Sequence, residues 1–394
     1  MMGDPWLNII GMPDDSADAL PAASQAALAG AEVIFGGARH LERVGAGARG
    51  QAWPLPFSLD PVLAQRGRPV VILASGDPFW FGAGGSIVGH LSADEWRSLP
   101  APSTFSLVAN ALGWRLEEVT CHGLHAAPLA QLRGVLAPRG RMICLLRDGD
   151  GPSELARFLC ENGAGAAQLH VAERMGGPDA RLRHTAANGF DLMDVMAPVA
   201  VAVELPADVG LPRSAGLPDD SFAHDGQITK APVRALTVSA LAPRKGDLLW
   251  DIGAGSGSVS VEYCLAGGRA VSFEQHESRA ANVRKNCEDF GLAHRMMVLQ
   301  GRAPEVLMDH PIPDVVFVGG GGNAALYDDL FTRLPVGTRL VANGVTLETE
   351  ALLAQLHATR GGSLLRIELA QAGPLGNMRG WQSLRPVVQW SVTL

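Results

Sequence analysis

The residues best suited to chemistry in this chain form one glycine loop, "DIGAGSG" at 251–257, directly after the apolar run Leu248-Leu249-Trp250. Glycines at the end of a buried strand turn the chain tightly and let backbone N–H groups approach an anionic or polar ligand. A dinucleotide loop spaces them G-x-G-x-x-G, which would require glycine at 258. That position is serine, and Gly253, Gly255 and Gly257 read G-x-G-x-G instead. The pyrophosphate reading loses ground accordingly. Asp251 would sit close to a phosphate, but it could accept a hydrogen bond from a cationic or hydroxylated ligand, and S-adenosylmethionine is such a ligand. Glu274 ends the next apolar run, "SFE", and is placed to accept from both ribose hydroxyls. NAD would use the same carboxylate, so a nicotinamide-dependent oxidoreductase stands as an alternative on these residues alone.

A second stretch, "LASGDPFWFGAGG" at 73–85, again sets glycine and a carboxylate at a strand end, as Ser75, Gly76 and Asp77. Its turn chemistry differs, since Asp77-Pro78 suits a tight turn. One chain then carries two candidate nucleotide loops of different design.

Such loops need parallel strands to hold them, and the apolar runs supply candidates. Before residue 206 the chain alternates runs such as "WLNIIGM", "AEVIFGG", "PVVILASG", "RMICLLR", "AQLHVAER" and "APVAVAVEL" with helix-like segments, the rhythm of an α/β domain. Residues 206–221 hold three prolines without periodicity and are read as a linker. From 222 the pattern resets into strands and helices in alternation through "LETEALLAQLHATRG". It closes on two strands, "LLRIELAQA" and "PVVQWSVTL", with no helix between them, which permits an antiparallel edge hairpin.

Length favours two domains, and 47% hydrophobic with 18% charged residues describes an ordinary globular chain. Up to residue 205 there are fifteen arginines against twenty-one acids, and afterwards seventeen basic residues against nineteen acids. Neither half is basic, which argues against a nucleic-acid partner. The N-terminus lacks a basic segment ahead of a long apolar run, and no stretch approaches the ~20 apolar residues of a membrane span, so a cytoplasmic location without membrane attachment is expected. The five cysteines are odd in number and form no C-x-x-C pair, and they are read as reduced core thiols. His122, His125, His170, His224, His276 and His294 show no ligand spacing, so no metal is expected. His224 and Asp225 either touch a ligand or form a turn. Trp80, Phe81 and Trp381 are read as core residues in preference to stacking platforms.

The segment "FAHDGQITKAPVRALTVSALAPRKGDLLWDIGAGSGSVSVE", with "FEQ", "GRAPE" and "DVVFVGGGG", resembles the cobalamin-pathway methyltransferases that methylate precorrin rings and decarboxylate one acetate arm. The resemblance covers roughly 222–394. It implies a Rossmann-like class I domain whose S-adenosylmethionine site takes in Thr229, Asp251, Gly253, Ala254, Gly255, Ser256, Gly257, Glu274, Arg302 and Ala303. It further implies that Gly319, Gly320, Gly321 and Gly322 border the macrocycle; Lys230 is either a surface lysine or a contact for substrate carboxylates. "VIFGGARHL", the Ser75-Gly76-Asp77 loop and "PAPSTFSLVANALGW" are similar to the tetrapyrrole methylase family, which has two α/β lobes and binds S-adenosylmethionine between them, here through Ser75, Gly76, Asp77, Ser103 and Thr104. Departures are Pro13 and Ser16 in "IIGMPDDS" and Ala126-Ala127 after His125, so a degenerate N-terminal site stays open.

The order of the two families resembles a fused, bifunctional enzyme. By that resemblance residues 1–205 methylate a precorrin at carbon 5, and residues 222–394 methylate carbon 15 and decarboxylate an acetate side chain. Self-association is implied as well. No catalytic proton donor or acceptor is identified. A methyltransferase acting on another small molecule or on tRNA is the remaining alternative.

Overall fold

The computed structural model describes residues 5–13, 20–308 and 310–394. Two compact units emerge. The first contains the described residues up to Ala127 with Ala137–Val209, the second Pro128–Leu136 with Gly210–Leu394.

The first unit has two sheets. Strands β1 (Leu7–Met12), β2 (Val33–Gly36), β3 (Gly50–Ala52), β4 (Val70–Ser75) and β5 (Trp96–Leu99) run parallel in the order β3-β2-β4-β1-β5. The helices among and after them are α1 (Ala22–Gly30), α2 (Ala38–Arg43), α3 (Asp60–Leu63), α4 (Ala83–Val88) and α5 (Thr104–Leu112). Side chains alternate faces along a strand, and here both faces are covered: Leu7, Ile9, Val70 and Ile72 enter one cluster, Ile10, Met12, Val71 and Leu73 another. That double burial is why "LNIIGM" and "VVILAS" read as continuous apolar runs. The second sheet comprises β6 (Val119–Gly123), β7 (Arg141–Leu146), β8 (Gln168–Glu173), β9 (Arg181–Ala186) and β10 (Val199–Glu204), with α6 (Gly151–Glu161) after β7. Its order is β6-β7-β10-β8-β9, and only β6 and β7 are parallel.

In the second unit α7 (Ala231–Leu241) precedes β11 (Leu248–Ile252), α8 (Ser258–Leu265), β12 (Arg269–Glu274), α9 (Glu277–Asp289), β13 (Met296–Gln300), β14 (Val315–Val318), α10 (Ala324–Arg333), β15 (Arg339–Gly344) and α11 (Leu347–Arg360). The chain closes on β16 (Ser363–Ile367), β17 (Ala370–Leu375), β18 (Met378–Ser383) and β19 (Val387–Thr393). The seven-stranded order is β13-β12-β11-β14-β15-β19-β16. The two closing runs pair antiparallel at the sheet edge as expected, β16 with β19, but a further ribbon intervenes between them. The run "LLRIELAQA" divides between β16 and β17, and β17 pairs with β18 across the two-residue Gly376-Asn377 turn as a separate ribbon. β19 inserts between β15 and β16, antiparallel to both.

The proline-rich stretch read as a linker enters the second unit's core, where Leu217, and Phe222 just after the stretch, are buried against α8 and α9 residues. Trp80, Phe81 and Trp381 are 37%, 51% and 79% exposed, which corrects their assignment to the core. All five cysteines are free, and Cys160 is exposed where a core position was expected. Among the described residues no group of His, Cys, Asp or Glu is arranged to hold a metal, and no helix is long and apolar enough to cross a membrane.

Candidate functional site

The strand order reverses between β11 and β14, and in open α/β sheets ligands bind at such a switch, beyond the carboxyl ends of the strands. The loops leaving those two strands meet there. Gly253 has φ +72°, and a Cβ built on it would lie 2.4 Å from the carbonyl oxygen of Gly320, so only glycine permits this approach. Around the junction opens a cavity of about 630 Å³.

Of the residues implied by resemblance, Thr229, Lys230, Gly253, Ala254, Gly255, Glu274, Arg302, Ala303, Gly319, Gly320 and Gly321 line this cavity. Asp251, Ser256, Gly257 and Gly322 are not among its lining. Strand parity explains Asp251. It shares a face with Leu249, on the α8 side of the sheet, whereas Ile252 reaches the cavity. The Asp251 carboxylate is buried, accepts from Ser260 Oγ at 2.6 Å through Oδ2, and leaves Oδ1 without a partner. Burial, with the nearby Glu274 charge, pushes its carboxyl up to about 6. Ser256 is buried too, its carbonyl accepting from Asn286 Nδ2 at 2.8 Å. At Gly257 a Cβ would meet Val283 Cγ1 at 2.6 Å, so this glycine serves helix packing.

Glu274 is 3% exposed and holds the glycine loop, accepting from the Gly255 N–H at 2.8 Å and the His276 N–H at 2.9 Å. Each carboxylate oxygen keeps a lone pair for a ligand hydroxyl. The segment carrying Thr229 and Lys230 is pinned from below by Arg234, a buried cation that the sequence reading missed. Its Nε donates to Glu262 Oε1 at 2.7 Å, its Nη1 to Asp219 at 3.2 Å and to the Thr229 carbonyl, and its Nη2 to the Leu217 carbonyl. Glu262 in turn accepts from the Gly216 and Leu217 N–H groups. Lys230 pairs with Asp219 at 3.2 Å.

His224 and Asp225 take the turn role: His224 Nδ1 accepts from the Gly226 N–H and Asp225 Oδ1 from the Gln227 N–H. Asp225 also pairs with Arg279 at 2.9 Å, and Arg279 lines the cavity. Further lining residues without a sequence signal are Asn343 at the end of β15, Ile367, Leu369, Leu384, Arg385 and Val387. They come from a part of the chain where no glycine loop marks a site.

In the first unit the structure brings together Gly76, directly after β4, and Ser103, which follows β5. Gly76 has φ +56°, and a Cβ there would lie 2.9 Å from Ser103 Cα. Ser103 Oγ accepts from the Ser106 N–H at 3.1 Å and caps α5, whose first residue is Thr104. Ser75 Oγ contacts His40 Nε2 at 3.2 Å, and Asp77 Oδ1 accepts from the Phe79 N–H at 2.8 Å, closing the expected turn. Ser16 lies outside the described residues.

Residues 220–394 match the precorrin methyltransferase domain family, and residues 7–189 match the tetrapyrrole (corrin/porphyrin) methylases. A precorrin-6Y C(5,15)-methyltransferase (decarboxylating) of a Sinorhizobium species is 45% identical over 400 residues, covering 99% of this chain and 96% of that protein. A probable cobalt-precorrin-6B C(15)-methyltransferase (decarboxylating) of Pyrobaculum calidifontis is 40% identical over 141 residues, 34% of this chain and 72% of that one. The solved C-terminal domain of a precorrin-6Y C5,15-methyltransferase from Rhodobacter capsulatus is 60% identical, with TM-score 0.46, and covers 47% of this chain and all of that domain.

Proposed function

The chain belongs to the family of decarboxylating precorrin-6Y C(5,15)-methyltransferases, and from that premise we propose that it methylates precorrin-6Y at carbons 5 and 15 and decarboxylates an acetate arm, giving precorrin-8. It is a methyltransferase with a tetrapyrrole methylase domain followed by a Rossmann-like methyltransferase domain. S-adenosylmethionine is the methyl donor in this reading. The observation that carries it is the cavity beyond β11 and β14, where a backbone cradle too close for any Cβ lies beside Glu274, a carboxylate with acceptor capacity to spare.

The donor supplies an electrophilic methyl on a sulfonium that departs neutral. Transfer of that kind needs alignment more than acid or base help. The protein's residues fit the task. The Gly253–Gly255 backbone and Glu274 hold the nucleoside, Thr229 and Lys230 close one side, and the Gly319–Gly321 loop leaves room for a flat ring. The cavity lining carries Lys230, Arg279, Arg302 and Arg385 against Glu274 as its carboxylate, in a chain of net charge −8. That local excess of cations suits a substrate rich in carboxylates.

The division of labour is part of the same proposal: carbon 5 for residues 1–205 through Ser75, Gly76, Asp77, Ser103 and Thr104, and carbon 15 with decarboxylation for residues 222–394. Self-association also belongs to the proposal. The test is mass spectrometry of precorrin-6Y incubated with the full chain and S-adenosylmethionine, with calorimetry of S-adenosylhomocysteine against NAD. Two added methyls, one lost carbon dioxide and preference for the sulfur nucleoside are expected. Conversion of NAD, or no change in the tetrapyrrole, would overturn the reading.

A further inference from the structure

Part of the cavity lining comes from β15, β16, β19 and α7, and it differs in character from the glycine loops. Val233, Ile367, Val387 and Leu369 form one apolar cluster there. Among them sits a single neutral polar group, the Asn343 amide. Two other side chains fix it. Asn343 Nδ2 donates to Thr237 Oγ1 at 2.9 Å, and Asn343 Oδ1 accepts from Gln389 Nε2 at 3.0 Å. Gln389 Nε2 also reaches Thr237 Oγ1 at 3.1 Å, while that hydroxyl donates to the Val233 carbonyl at 2.9 Å. Thr237 and Gln389 are buried, so the amide cannot swing freely, and its second N–H remains available to the cavity.

The same lining carries cations, Arg302 from the loop after β13 and Arg385 from the segment just before β19. Arg279 and Lys230 are committed to Asp225 and Asp219. The side chains of Arg302 and Arg385 have no hydrogen-bond or ion-pair partner among the described residues and are free to hold peripheral carboxylates. A carboxylate that must leave as carbon dioxide has the opposite need. As the bond from its carbon to the neighbouring methylene breaks, the electron pair moves onto the methylene carbon and into the conjugated ring. Carbon dioxide departs neutral, and the methylene carbon later takes a proton from water. Negative charge thus leaves the carboxylate in the transition state, and a guanidinium paired with it would stabilise the ground state more than the transition state. A neutral donor in an apolar wall orients the group without that penalty.

We infer that Asn343, positioned by Thr237 and Gln389, receives the acetate arm that is decarboxylated, while Arg302 and Arg385 hold carboxylates that are kept. This rests on the functional reading above. The experiment is single-turnover product analysis by mass spectrometry with the full chain, S-adenosylmethionine and precorrin-6Y, comparing wild type with N343A, T237V, T237S and R385A. The quantity read is the ratio of decarboxylated to undecarboxylated product among doubly methylated species. N343A and T237V are expected to lower it by about 10-fold or more, the scale for losing one oriented donor. T237S should restore it, and R385A should raise KM at an unchanged ratio. Retained S-adenosylhomocysteine affinity in N343A and T237V shows that the cavity is intact. An unchanged ratio in N343A, with wild type active, would overturn this inference alone. A wild-type chain that neither methylates nor decarboxylates would overturn the functional reading instead.

Discussion

The Gly253 Cα and the Gly320 carbonyl approach so closely that a Cβ on Gly253 would lie 2.4 Å from that oxygen, so two loops from non-consecutive strands touch backbone to backbone. The relationship makes the loop after β14 a wall of the site formed by the loop after β11.

Gly253→Ala forces both a side chain into that contact and an alanine into φ +72°. Binding of S-adenosylhomocysteine to the second unit should fall at least about 100-fold, roughly 3 kcal/mol. The full-length variant should yield a singly methylated tetrapyrrole that keeps all its carboxyl groups. Normal decarboxylation by this variant would refute the assignment of that step to residues 222–394.

Gly76→Ala is the converse experiment. Its Cβ meets Ser103 Cα at 2.9 Å in the first unit, so the carbon 5 methyl should be missing while the other methyl transfer and the decarboxylation persist. Nuclear magnetic resonance of a product made with labelled methyl donor identifies which bridge carbon was left bare.

Glu274→Gln removes a charged acceptor while nearly preserving shape. A hydrogen bond to a charged group contributes about 1.5–3 kcal/mol, so the dissociation constant of S-adenosylhomocysteine should rise about 10- to 100-fold. Calorimetric titration checks this, and circular dichroism should be unchanged.

Asp251 links stability to pH. Its carboxyl titrates at 3.8 in an ordinary setting and at about 6 in the buried site, so between those values the folded chain holds a proton that the unfolded chain has released. Stability from this group therefore falls as pH rises from about 4 to about 6, by about 3 kcal/mol in all. Asp251→Asn lacks the titration. Urea unfolding across that window should show the variant gaining on wild type as pH rises, and a constant difference would contradict the buried, unpaired carboxylate.

Arg234→Met leaves Glu262 buried without its cation, which costs about 3–5 kcal/mol. It also releases the carbonyls of Leu217 and Thr229 that hold the segment above the cavity. Scanning calorimetry should show a lowered transition together with weakened S-adenosylhomocysteine binding. Arg234→Lys should not restore either, because an ammonium cannot reach four acceptors in one plane.

The alternation of apolar runs with helical segments, the G-x-G-x-G spacing and the acid ending the next strand are local patterns, and a chain displays them before it folds. They were enough for the α/β class, for most strands of the second unit and for the cradle formed by Gly253, Gly255 and Glu274. The direction of Asp251 was not legible in the loop motif, although it follows from strand parity once β11 is delimited at Leu248–Ile252. Asn343, Ile367 and Arg385 stand in unremarkable contexts. They reach the cavity because β19 slips between β15 and β16, placing Asn343 opposite Gln389, forty-six residues away along the chain. Arg234 is hidden for the same reason, since its carboxylate partners at 219 and 262 become neighbours only when α7 packs on α8. Periodicity and turn chemistry are set within a few residues, so sequence alone determined most elements and the glycine loop. Strand order and helix packing depend on which distant surfaces bury each other, so only the tertiary structure decided the far lining of the cavity and its charges.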